Sequence, residues 1–376
     1  MIYYSGSTPP PGHFIKEELD ARGWTQSDLA YILGCPVQAV NMIVSGKRGI
    51  SPEMAKALGQ AFDVPAEFFA NLQKAFDLSQ ARDPDPGVGR RARLQSVFPI
   101  REMIKRGWLH ETDPAMLESQ MMRFFEVNRL EDIPQPPHAA KKTTGDQYQD
   151  ADPAQLAWLY RVRQIAKSMA VPNYSEKALR TTCGRLRYLT VDPEEARHAP
   201  KLLAECGVRL ILVEPLPNSK IDGVCTWLRD APVIALSMRL DRIDNFWFVL
   251  RHECEHALRE HGRTSPLRID EDIGASLAKN AELPEEEKVA NEAAADFCVS
   301  SRAMNDFIVR KNPFFSERDV LGFARIQERH PGIVVGQLHW KTGRYDLLRK
   351  YLVKVRGFVA PYCMTDGWGQ VAPVAL

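Results

Sequence analysis

The sequence predicts an α+β protein: an all-helical N-terminal domain, then a helical connector, then a C-terminal domain in which helices pack on a small β-sheet. Three observations carry this. Residues 12–78 are densely helical in pattern, with turn residues at the breaks. Two later stretches, VRLILVEPLP and APVIALS, are short β-branched runs bounded by Pro, Gly and Asp and read as strands. Long helical patterns, not further strands, follow them. At 376 residues the chain has room for two or three domains. The boundaries read as 1–78, 79–153 and 154–376, and no internal repeat is found.

Composition excludes several classes of protein. Hydrophobic residues make up 44% and charged residues 26%, the balance of a folded soluble chain. Forty-nine Lys and Arg against 48 Asp and Glu leave a net charge of +1, so any binding to nucleic acid must come from a local patch. No run approaches the roughly 18 apolar residues of a membrane helix, and the start, MIYYSGSTPPPGH, has no basic region ahead of an apolar stretch. These features predict a cytoplasmic protein without a membrane partner. Seven scattered cysteines, never spaced CxxC, argue against a disulfide framework or a Cys-only zinc site.

In the N-terminal domain, TQSDLAYILGCPVQAVNMIV reads as two short helices. Thr25 caps the first, Leu29, Ala30 and Leu33 give it an apolar face, and Gly34 ends it in the left-handed conformation. Pro36 suits the start of the second, where Val40, Ile43 and Val44 point inward. That is a helix-turn-helix, whose second helix places its early exposed side chains on base edges in the major groove. Those side chains are Val37, Gln38 and Asn41. Gln and Asn pair bidentately with adenine, and Val37 can touch a thymine methyl. Gln26, Lys47 and Arg48 are placed for phosphate contacts. The alternative is a helical protein-interaction domain, which the charge of residues 1–78, six basic against eight acidic, favours somewhat.

GWTQSDLAYILGCPVQAVNMIVSGKRGISPEMAKALGQAFDVPAEFFANLQ resembles the XRE-type helix-turn-helix domain of HigA-like antitoxins over most of residues 12–78. The resemblance implies a homodimer bound to double-stranded DNA at an inverted repeat in its own promoter.

SQARDPDPGVGRR, with Pro84, Pro86, Gly87 and Gly89, reads as a linker. Residues 82–106 hold seven basic side chains against three acidic ones, an exposed charged stretch that could add backbone contacts. Two or three helices are expected between Ala92 and Asp132, one capped at Thr112 or Asp113. IPQPPHAAKKTTGDQYQDADP is polar and aperiodic and reads as a second linker or long loop.

The C-terminal domain opens with helices expected at 154–170 and 175–189. After the two strands, a helix from about Asp244 to Arg259 carries FWFVLRHECEHALRE. His252 and His256, four apart, share a face and can bind one metal, with Glu253 beside the open position. Such an ion lowers a water's pKa and polarises a carbonyl while the glutamate moves the proton. The apolar Phe246 to Leu250 drive this helix into a core, where two His and a Glu need a reason to be buried. A third ligand is required. His261 lies one residue short of the metzincin spacing and is not preferred. A helix starting near Pro284 offers Glu287, with Asn291 on the same face as a supporting partner; Glu286 is the alternative. Val233–Leu236 is considered as an edge strand that receives a peptide, and Tyr345 and His339 as oxyanion stabilisers, although packing roles are preferred for those two.

GVRLILVEPLPNSKIDGVCTWLRDAPVIALSMRLDRIDNFWFVLRHECEHAL, EKVANEAAADFCVS and HPGIVVGQLHWKT resemble the ImmA/IrrE metallopeptidase domain over about 200–345. The resemblance implies a zincin-like fold, Zn2+ held by His252, His256 and Glu287, Glu253 as general base, and a protein substrate or toxin as partner. The chain departs from that pattern at Cys254, Glu255, Ala293 and Cys298 to Ser300. Together the halves predict a DNA-binding regulator or antitoxin with an endopeptidase-like domain. The alternative is a non-catalytic antitoxin and autorepressor whose metal site is structural or a sensor.

Overall fold

The computed structural model describes residues 8–133, 152–261, 263, 270–271 and 284–374. The chain divides into two compact units, one ending at Pro86 and one starting at Gly87.

The first unit is all helical: α1 Pro11–Arg22, α2 Gln26–Leu33, α3 Val37–Val44, α4 Pro52–Phe62 and α5 Ala66–Gln80. Local chemistry sets each boundary. Thr25 caps α2 in a reciprocal capping box with Asp28, whose carboxyl is held below its ordinary pKa by the Thr25 hydroxyl and the Thr25 N–H, both donating to Oδ2. Gly34, at φ 64°, ends α2 in the left-handed region, and Pro36 sits at the cap of α3. Ser51 caps α4 ahead of Pro52. Ile15, Leu29, Ile43, Leu58, Phe62 and Phe69 are buried at the centre of this unit.

The expected linker is shorter than SQARDPDPGVGRR. Helix α6 begins at Gly87 and runs to Val97. Gly87 and Gly89 fall in its first turn, where a glycine costs less than in a helix interior. Helices α7 (Ile100–Lys105) and α8 (Pro114–Phe124) follow, the second capped by Asp113 through the N–H groups of Ala115 and Met116. The second predicted linker lies almost wholly outside the described residues.

The sheet of the second unit is mixed, with strands β1 (Arg209–Val213), β2 (Ile221–Leu228), β3 (Ala231–Leu236), β4 (Asp270–Glu271) and β5 (Met364–Asp366) in the order β4-β2-β3-β1-β5. β1 runs parallel to β3 and β5, and β2 antiparallel to β3 and β4. Side chains alternate between two cores. Leu210, Leu212, Ile234 and Leu236 face one, and Ile211, Val213, Val233 and Ala235 face the other. Burial on both faces explains why β1 and β3 read as unbroken apolar runs. Helix α9 (Pro153–Ser168) covers the second face together with α6 to α8. The first face is covered by α10 (Glu176–Leu186), α11 (Ala199–Glu205), α12 (Ile243–Leu258), α13 (Glu285–Cys298), α14 (Ser301–Lys311), α15 (Glu317–Ile326) and α16 (Pro331–Thr342).

Val233–Leu236 is not an edge. β3 is hydrogen-bonded to β1 on one side and β2 on the other, so its main chain has no free side for an added strand. All seven cysteines are free, and burial pushes the Cys298 thiol up to about 12.

One buried ion pair ties distant segments of this unit together. Asp366 is fully buried and accepts from Arg161 Nε and Nη2 at 2.9 and 2.6 Å, from Trp108 Nε1 at 2.7 Å and from the Ala372 N–H at 3.1 Å. Arg161 also donates to the Ala372 carbonyl at 3.0 Å. The carboxylate therefore joins the segment after α7, helix α9 and the C-terminal strand.

His330 caps α16, its Nδ1 accepting the Gly332 N–H at 3.0 Å. Burial pulls its pKa below the usual histidine value, against a smaller upward pull from Asp192. The unfolded chain therefore binds the proton more readily. The cap's stability is fully present above the ordinary histidine pKa of about 6.5 and is lost as pH falls through the lower folded value. Wild type is expected to lose more stability between pH 7 and 5 than His330→Asn, which keeps a capping acceptor without titrating. Urea unfolding at the two pH values checks this, and equal losses in the two proteins would refute it.

Candidate metal centre and helix-turn-helix surface

Helix α12 presents three stripes. Trp247, Leu250, Cys254 and Ala257, at helical spacing, are fully buried in the core. Arg251, Glu255 and Arg259 form a second stripe, with Glu255 accepting from Arg251 Nη2 at 2.8 Å and from Arg259 Nε at 2.7 Å. Burial raises the Glu255 carboxyl pKa, but the two guanidiniums outweigh it and hold the value below the ordinary one. That pairing accounts for the glutamate inside the motif. The third stripe holds His252 and His256, with Glu253 beside it.

His252 Nε2 and His256 Nε2 stand 3.0 Å apart. Glu287, on α13, places Oε2 at 3.4 Å from the first and Oε1 at 3.5 Å from the second. His252 is fully buried and His256 nearly so. Four ligands at about 2.0–2.1 Å from a tetrahedral ion stand about 3.3–3.4 Å from one another. The spacings here, 3.0 Å between the imidazoles and 3.4 and 3.5 Å to the two carboxylate oxygens, bracket that value, and two imidazoles with one carboxylate are the donor set of a zinc site, so the residues fit the ion. Small residues allow the approach: Ala290 and Ala294 are fully buried in α13, the helix that packs on α12. Glu285 and Glu286 are exposed, so Glu287 is the glutamate that joins the cluster. Asn291 is buried, and its Oδ1 has no hydrogen-bond partner among the described residues.

Glu253 is fully buried on the side of α12 that meets β2. A Cβ at Gly223 would collide with Glu253 Oε1 and lie 2.7 Å from Val249 Cγ1. A side chain there would force the carboxylate or Val249 to shift, so the glycine lets the strand pass this close. Sequence reasoning missed both β2 and this role. The signal was a lone Gly within an otherwise strand-like run, IDGVCTWL.

His261, set aside as a ligand, is not idle: its Nδ1 lies 2.9 Å from Nδ1 of His256. Cys254 points into the apolar core, where a hydrogen bond with Cys183 and full burial raise its thiol pKa well above the ordinary value. Tyr345 is exposed, and His339 is buried with Nε2 bonded to the Leu347 carbonyl at 2.5 Å. Their rings meet edge to face at 5.7 Å, a packing arrangement.

In the N-terminal unit, the axes of α2 and α3 turn through 118°, within the range of a helix-turn-helix. Val40 and Ile43 are buried, and Val37, Gln38 and Asn41 are exposed along the other side of α3. Gln26 is half-buried at the start of α2. Lys47 and Arg48 are exposed, and their N–H groups both donate to the Met42 carbonyl, at 2.8 and 3.0 Å. Gln73 of α5 anchors the same loop by accepting the Ile50 N–H at 2.8 Å.

Comparison with known proteins agrees with this geometry. Residues 15–69 match a family model described as helix-turn-helix. Over 73 residues the chain is 42% identical to the virulence-associated protein A′ of Dichelobacter nodosus, a stretch that makes up 19% of this chain. The chain spans 64% of that relative's length. Among solved structures it is similar to an addiction module antidote protein of a HigA family from Coxiella burnetii, at 33% identity over 20% of this chain and 83% of that one, TM-score 0.20. It is also similar to PA4674 of Pseudomonas aeruginosa, solved in complex with its 18-base-pair operator DNA, at 38% identity over 20% and 82%, TM-score 0.19. Residues 15–69 of this chain are a helix-turn-helix module.

Proposed function

We propose that the protein is a cytoplasmic DNA-binding regulator of the antitoxin type whose C-terminal unit is a zincin-like, zinc-dependent endopeptidase acting on a protein partner or repressor. The observation that carries the peptidase half is the convergence of His252, His256 and Glu287 with a buried glutamate, Glu253, on the same helix. His252 and His256 would hold the ion through Nε2 and Glu287 through a carboxylate oxygen. Bound zinc supplies a Lewis acid that activates water and polarises a peptide carbonyl. Glu253 takes the proton of the attacking water and returns it to the leaving amine. Gly223 lets β2 lie against that carboxylate.

For the regulatory half, the family match and the exposure of one side of α3 support placing Val37, Gln38 and Asn41 in the major groove, with Gln26, Lys47 and Arg48 on phosphates. A homodimer on an inverted repeat reconciles this with the near-neutral charge, because each copy then needs only a few phosphate contacts. No single helix among the described residues is long and apolar enough to cross a membrane.

Gln38→Ala and Asn41→Ala are each expected to weaken binding to the specific promoter site by about 1–3 kcal/mol while leaving non-specific binding nearly unchanged. Titration of a promoter duplex and a scrambled duplex at one salt concentration measures both. Unchanged sequence preference in both variants would show that α3 does not read the bases.

A further inference from the structure

If His256 offers the lone pair of Nε2 to a cation, its proton resides on Nδ1 and needs an acceptor. That Nδ1 stands 2.9 Å from Nδ1 of His261, with the two rings 60° apart and their centroids 5.1 Å apart. Two imidazole nitrogens at this distance share one proton, so one donates and the other accepts. His256 being the donor, His261 accepts at Nδ1 and carries its own proton on Nε2.

His261 is held in place from several sides. Its N–H donates to the His256 carbonyl at 3.0 Å, and its carbonyl accepts from Trp227 Nε1 of β2 at 3.0 Å. The Trp227 ring lies under the Arg263 guanidinium at 5.1 Å and meets Tyr174 edge to face at 5.5 Å. Tyr174 in turn donates its hydroxyl to the Ala257 carbonyl at 3.1 Å. The turn after α12 is thus fastened to the sheet, and the imidazole of His261 is presented to His256 by a built arrangement.

The geometry points to His261 as a positioning residue for His256: it fixes the tautomer that exposes Nε2 and sets the orientation of the ring. The inference rests on the proposed metal site at His252, His256 and Glu287. It explains why a third histidine closes HECEHALREH without being a ligand.

The test uses the full chain as wild type, His252→Ala, His261→Ala and His261→Asn. Zinc affinity is read by competition with a chromophoric chelator, and the visible bands of the cobalt(II)-loaded protein report ligand geometry. His261→Ala is expected to weaken zinc binding by about 10–100-fold and to change the cobalt bands. His261→Asn, whose amide oxygen can take the place of Nδ1, is expected to recover most of the affinity and the wild-type bands. Zinc affinity unchanged in His261→Ala, or an asparagine variant as weak as alanine, overturns the inference. Should His261→Ala fail to fold without metal, His261→Asn and Trp227→Phe decide it: near-wild-type affinity in the first with a measurable loss in the second supports positioning, and equal affinities in the two overturn it. Wild type that takes up no zinc removes the metal site and this role together. Zinc bound equally by wild type and His261→Ala but not by His252→Ala removes this role alone.

Discussion

Glu253→Gln is expected to leave zinc uptake intact and to lower peptide hydrolysis by about 10²–10⁴-fold. Glutamine keeps the volume of the buried side chain, so its fit against Gly223 survives, but the amide cannot accept the proton of the attacking water. The residue is not among the three clustered donors, so metal content should not change. His252→Ala, by contrast, removes a donor and should lose both metal and activity. The measurement pairs zinc per chain, by elemental mass spectrometry, with cleavage of proteins encoded beside this gene, mixed with a promoter-derived duplex. Cleavage by Glu253→Gln at the wild-type rate would eliminate Glu253 as the base. Wild type that binds zinc and cleaves neither itself nor those partners would leave a regulator with a structural or sensing metal.

Asp366→Ala is expected to destabilise the second unit by about 3–5 kcal/mol, because it leaves the Arg161 guanidinium buried without its counter-charge. Trp108 Nε1 and the Ala372 N–H lose their acceptor in the same step. Thermal unfolding of this unit should fall by roughly 5–15 °C. Arg161→Met combined with Asp366→Leu should cost less than Asp366→Ala alone, since an apolar pair of similar size leaves no buried charge. A single variant that melts within about 2 °C of wild type would mean that water reaches the guanidinium and that the network does not hold the C-terminal strand in place.

Much of the candidate metal centre was legible because helical periodicity is local. Four-residue spacing puts His252 and His256 on one face whatever the rest of the chain does. The choice between Glu286 and Glu287 was not local. It depends on how α13 rotates against α12, which the buried alanines of α13 set. Strand order was less legible still. β3 is a strand, as expected, but not the edge strand considered for it, because its neighbours, β1 and β2, are fixed by pairings that no short window contains. β2 itself escaped notice: Asp222 and Gly223 interrupt its apolar pattern. Both are explained only in three dimensions. Arg239 holds the buried Asp222 in a two-point ion pair at 3.0 and 3.1 Å, and Glu253 occupies the space a side chain at 223 would take.

By itself, then, the sequence determined the helix-turn-helix, through caps and turns that act within a few residues, the existence of strands β1 and β3, and the histidine pair of α12. Only the tertiary structure decided which glutamate joins that pair, which strand lies beside Glu253, that His261 bonds to His256, and that Asp366 binds Arg161. Caps and helix faces are settled by neighbours in the chain, whose geometry the backbone dictates. Ligand convergence and buried pairing are settled by side-chain volume and charge meeting across elements far apart in sequence.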